Sequence, residues 1–131
     1  MQTNQSDVPA SPAVVLDRIC DAVIAHDAVA VMAEVQYFWA AEWAIADVPR
    51  PSDEEPLRLA LKACLVERMA EVWSAPPKNE PSAPPAWCAE IPALDREFSA
   101  VPHEYRDSFS LESPVFRKRN LFAPRDYLFF V

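Results

Sequence analysis

The residues able to do chemistry are few and widely spaced. Two histidines, His26 and His103, and three cysteines, Cys20, Cys64 and Cys88, make up the metal-ligating and nucleophilic set. None falls in a CxxC, HxxxH or HExxH spacing, so no ligand pair is fixed by one helical turn or one tight loop. A di-iron bundle needs Glu-x-x-His pairs on facing helices, and the chain has none. No metal and no cofactor are expected. A thiol nucleophile assembled only by the fold, Cys64 or Cys88 with His26 or His103, is conceivable. The commoner role for a cysteine in apolar surroundings is a small core residue. Of the three, Cys88, beside Trp87 and next to a loop, is expected to be less buried.

Acid–base chemistry has one candidate pair. Glu34 and Glu42 lie two helical turns apart in an apolar stretch, where burial raises a carboxyl pKa. The commoner outcome is a solvent-facing stripe or an ion pair with an arginine. Arg18 and His26 are eight residues apart, about two helical turns, as in an RNase-type helical site. The residues between them are mainly of core type. The chain is expected not to be an enzyme.

The backbone supports that expectation. There is no glycine in 131 residues, and there are 14 prolines. Phosphate-cradling loops, dinucleotide fingerprints and glycine-built nucleophile elbows all use glycine for positive φ or close approach to a ligand.

Composition sets further limits. An apolar content of 51% supports a real core in one domain. The net charge of −8 argues against direct binding to nucleic acid and for a basic or mixed-charge partner. Residues 1–75 hold 12 acids and 5 bases, whereas residues 76–131 hold 8 and 7. Within the second half, Arg117, Lys118, Arg119 and Arg125 form a locally basic end. Three cysteines without close pairing fit buried free thiols in a reducing, cytoplasmic setting. No signal peptide is visible at the start. The apolar stretch 28–46 is interrupted by Glu34, Gln36 and Glu42, so it reads as a buried or amphipathic helix and not as a membrane span.

The elements that must position these residues read as mainly α. Residues 1–10 are expected to fray. Ser11-Pro12 opens a first helix, with Val15, Leu16, Ile19, Cys20 and Val23 on a broad apolar face. Asp27 caps a second helix, or the first continues, so residues 12–46 form one or two helices. The second segment is apolar nearly all round and is expected at the centre of the bundle. Ser52 and Glu55 match a capping box for a third helix over 53–74, completing a helical body at 11–75. Residues 76–86 form a proline-rich connector, with five prolines between positions 76 and 85. The remainder, 87–131, is an aromatic-rich C-terminal region packed on the body or on a partner. It carries short helical turns near 93–100, 103–109 and 114–119, and Arg125 to Val131 reads as a short strand or extended arm.

The layout of acidic helical body, stiff connector and aromatic, basic arm points to recognition. The leading expectation is a non-enzymatic protein-binding module, an antitoxin- or immunity-type inhibitor that neutralises a partner through its C-terminal arm. The partner would be a toxin or nucleic-acid-processing enzyme with a basic site. The expected contact residues are Phe116, Arg117, Arg119, Phe122, Tyr127, Phe129 and Phe130, since arginine and aromatics are enriched at interface hot spots. On that layout, removal of residues 114–131 leaves the body folded. The alternatives are an adaptor or homodimer through Trp39 and Trp43, one helical turn apart, and a small-molecule pocket among Trp39, Trp43, Glu42 and His26.

Overall fold

In the computed structural model the described residues are 10–73, 83–106 and 111–128. The chain is mainly helical, with three long helices between Pro12 and Trp73. Helix α1 spans Pro12–Ile24. Ser11 Oγ accepts a hydrogen bond from the Val14 N–H at 3.2 Å, and Pro12 stands in the first turn, where its missing N–H breaks no helical bond. His26, at φ 57°, turns the chain back. Asp27 then caps α2, Ala28–Ala40, by accepting from the Ala30 N–H at 3.1 Å. The two helices form a hairpin whose inner residues include Ile19, Val23, Val35 and Phe38, each fully buried.

Glu42, at φ 61°, ends that hairpin. A short 3-10 turn, Ile45–Asp47, then carries Ile45 and Val48 into the core. Helix α3 spans Pro56–Trp73. Its start corrects the expected capping box. Ser52 and Glu55 precede the helix, and the Glu55 carbonyl accepts the Leu59 N–H at 3.1 Å. The residue before a proline is held out of the α region, so Glu55 cannot occupy a third helical position ahead of Pro56.

The centre of the bundle is α3, which corrects the expectation for α2. Leu61, Ala63, Cys64, Leu65 and Val66 are all fully buried, so successive positions around the helix are covered. The hairpin covers one side of α3 and the C-terminal region covers the other.

That region is an irregular layer clamped to α3. It begins at a 3-10 turn, Ala86–Glu90, where Trp87 Nε1 donates to the Val48 carbonyl at 2.8 Å. Strand β1, Phe98–Ser99, pairs in parallel with β2, Leu121–Phe122, in the register Phe98 to Leu121 and Ser99 to Phe122. Two short helices, α4 (His103–Arg106) and α5 (Pro114–Arg117), lie between them. The helical turn expected near 93–100 is instead loop and β1, because the Leu94 and Phe98 N–H groups donate to the carbonyls of Arg119 and Asn120 at 3.0 and 3.2 Å. Residues 125–128 form a turn, not a strand or extended arm. The Tyr127 N–H donates to Pro124 O at 3.0 Å, and Leu128 sits at φ 68°. Of the start expected to fray, 1–10, residues 1–9 lie outside the described residues, as do residues 76–82 of the connector expected at 76–86.

Candidate functional site

The residues expected to contact a partner are for the most part engaged within the chain. Phe116 is fully buried and meets the Tyr127 ring edge-on at 5.5 Å. Phe122 is 5% exposed, with the Arg106 guanidinium 4.5 Å from its ring centre. Arg119 is buried: it donates from Nη1 to Glu67 Oε1 at 2.6 Å, from Nε to the Ile91 carbonyl at 3.1 Å, and from Nη2 to the Cys88 carbonyl. Arg117 lies half-exposed between Glu97 and Glu112, 2.8 Å from each. Phe129 and Phe130 lie outside the described residues. The arm expected to reach a partner is therefore, as far as it is described, the outer wall of this chain's own core. Arg68 holds its end in place, donating to the carbonyls of Tyr127 at 2.7 Å and Arg125 at 2.8 Å.

The tryptophan pair is also corrected. Helix α2 ends at Ala40, and the positive φ of Glu42 turns Trp43 back, so Trp39 and Trp43 do not share a helix face. Trp43 packs on Phe38, with ring centres 5.2 Å apart, and is half-buried, as is Trp39. His26 does not join them. Its Nε2 donates to the Ser99 carbonyl at 2.9 Å, and its ring stacks on Phe98.

The other candidates for chemistry take structural roles. Glu34 accepts from Arg18 Nε at 3.1 Å. The three cysteines are free and buried, Cys88 included, which corrects its expected exposure. Burial pushes the thiols of Cys20 and Cys88 up to about 12 and that of Cys64 to about 11, so none is a thiolate nucleophile near neutral pH. Among the described residues, no three His, Cys, Asp or Glu side chains could hold a metal ion.

Two features were not singled out from the sequence. The first is an ionic network joining α1, α3 and the loop before α3. Arg58 donates to Asp21 at 2.6 Å and to Asp53 at 3.3 Å, and it also holds Asp17. Lys62, 5% exposed, donates to Asp17 at 2.8 Å and to Asp53. The bonds from Lys62 hold the Asp17 and Asp53 carboxyls below their ordinary range. Burial works against the Lys62 charge, but these two carboxylates outweigh it and raise its pKa. The signal was an arginine and a lysine four residues apart on α3, the spacing of one helical turn.

The second is the outer face of α2. Val29, Met32 and Tyr37 are 72%, 38% and 48% exposed, and Ala33, Gln36 and Ala40 are exposed beside them. These positions recur at intervals of three and four, so they form one stripe along the helix. Glu34 is the one charged residue in α2, and it is tied to Arg18. The stripe is framed by exposed Asp27 and Glu42 at the two helix ends. A stripe of this kind ordinarily faces a core; here Tyr37 meets the Trp43 ring at 6.2 Å and the Arg18 guanidinium at 5.9 Å, while Val29 and Met32 stay exposed.

In the comparisons with known proteins, the chain matches no family model, no curated protein and no solved structure.

Proposed function

We propose that this protein is a non-enzymatic protein-binding module whose recognition surface is the outer face of α2. The observation that carries the reading is the uncharged, three-and-four-spaced stripe with Val29, Met32 and Tyr37 exposed on a chain of net charge −8. A contiguous apolar patch framed by polar residues is the usual mark of a protein interface.

Charge selects the kind of partner. The stripe is neutral, but Asp27 and Glu42 frame it and the whole chain is acidic. A partner with an apolar groove and a basic rim complements both features. A second copy would set two charges of −8 against each other. An acidic subunit that neutralises an enzyme with a basic site fits the same logic. That role was expected of the C-terminal arm, but α2 offers it without unfolding the body.

Photo-crosslinking tests the reading. A benzophenone side chain at Ala33 should give one adduct with a different, basic protein, with yield falling as salt rises. The same group at Leu111, exposed in the C-terminal region, should give none. A Leu111 adduct, or an Ala33 adduct with a second copy, would overturn it.

A further inference from the structure

A cleft of about 450 Å³ opens between the first turns of α1 and the segment 49–53. That volume falls within the range of small-ligand sites. Val14 stands on one wall, and Pro49 and Pro51 on the other. Two prolines in three residues fix the backbone of that wall, so its shape does not depend on a ligand. Lys62 closes the base, 5% exposed and held by Asp17 and Asp53.

Two guanidiniums line the same cleft, Arg18 from α1 and Arg50 from the facing segment. Neither has its fork filled. Among the described residues, Arg18 donates only through Nε, to Glu34, and its guanidinium lies 5.9 Å from the Tyr37 ring centre. Arg50 comes no nearer than 3.8 Å to Glu90, past hydrogen-bonding distance, and both of those side chains are largely exposed.

We propose that this cleft binds a small organic monocarboxylate with a branched aliphatic body. The carboxylate lies between Arg18 and Arg50, and the body lies against Val14, Pro49 and Pro51. A guanidinium fork matches a carboxylate in shape and charge. Val14 is 48% exposed, and an aliphatic group over it leaves water. Lys62 acts as a positioning residue, because it and Arg58 neutralise Asp17 and Asp53, which would otherwise repel the anion. A doubly charged anion would strain that balance, and an amine would be repelled by the arginines. Arg18 links the cleft to α2 through Glu34 and Tyr37, whereas Arg50 and the proline wall lie off that helix, so the Arg50 variant tests the cleft independently of the α2 reading.

The test is titration of the full chain with 4-methylpentanoate, followed through the backbone amide resonances of residues 13–18 and 50–53. Saturable shifts with a Kd of about 1 mM or tighter are expected. Binding of 4-methylpentanamide, 3-methylbutylamine or inorganic phosphate should be at least about tenfold weaker. Arg50→Gln should weaken carboxylate binding by roughly tenfold while leaving the remaining resonances in place, since the Arg50 side chain is half exposed. Arg18→Gln should do the same. Absence of saturation, equal binding of the amide, amine or phosphate, or an unchanged affinity in Arg50→Gln would each overturn the proposal.

Discussion

Arg119 and Glu67 meet against α3 as a forked pair, with Nη1 to Oε1 at 2.6 Å and Nη2 to Oε2 at 3.2 Å, and their side chains are only 5% and 9% exposed. Arg119 belongs to the C-terminal region and Glu67 to the central helix, so the pair fastens one half of the chain to the other. The guanidinium also serves the carbonyls of Cys88 and Ile91. Burial raises the carboxyl pKa of Glu67, but the bonds from Arg119 and Lys118 outweigh it and hold the pKa below its ordinary value.

Arg119→Ala should therefore destabilise the protein by about 3–5 kcal/mol, because it leaves two carbonyls without their donor and Glu67 with Lys118 alone in a largely dry site. Urea unfolding measures this. Deletion of residues 114–131 goes further, since it strips Phe116, Leu121 and Ala123, all fully buried, from the core. That deletion should abolish the cooperative transition and the near-ultraviolet dichroism. A truncated chain that still unfolds cooperatively would show that the helical body stands alone.

Acid sensitivity follows from the carboxylates. Asp17, Asp53 and Glu67 are held below their ordinary values, and the bonds from Arg106 and Arg117 take Glu97 from 4.5 to about 2. Folded-state pKa values below the unfolded ones mean that the unfolded chain binds more protons in acid, so stability rises with pH there. The stabilisation should be fully present above about pH 5–6 and decline as the pH falls through about 4 towards 2. The urea midpoint measured between neutral pH and pH 3 should trace this decline, and Asp53→Asn and Glu97→Gln should each flatten it. A midpoint independent of pH across that range would contradict the network.

The lack of glycine leaves a measurable strain. His26, Glu42, Asn120 and Leu128 take positive φ, the region that glycine fills at low cost. Glu42 is exposed at the end of the helical hairpin, so Glu42→Gly should stabilise the protein by up to about 1 kcal/mol. Asn120→Gly should not stabilise it, because asparagine tolerates this conformation and its side chain donates to the Leu94 carbonyl at 3.1 Å. Thermal unfolding of the two variants separates them.

Local signals in the sequence are decisive where one residue sets the outcome. Ser11 with Pro12, and Asp27, cap the helices as their types require. The pattern at Ser52 and Glu55 misleads because Pro56 forbids the helical conformation one residue earlier. The central helix could not be identified from periodicity, since α2 and α3 are both broadly apolar. What decides between them is the C-terminal layer, which lies on α3. That layer is built from long-range pairs such as Arg68 with the Tyr127 carbonyl and Phe98 with Leu121, and no local spacing encodes them. Lys118 and Arg119 resembled an exposed contact surface for the same reason, because their shared acidic partner, Glu67, lies far away in sequence.

The most direct test of α2 as the recognition surface compares two double variants of the full chain. Val29→Lys/Met32→Lys alters the outer stripe, and Tyr105→Lys/Leu111→Lys alters exposed apolar residues of the C-terminal region. Both should keep their stability within about 0.5 kcal/mol of the parent for each substitution, since all four residues are exposed. The measurement is the yield of the Ala33-crosslinked complex in each background. The expected result is loss of the adduct in the α2 variant and an unchanged yield in the other; an adduct that survives Val29→Lys/Met32→Lys would contradict α2 as the recognition surface.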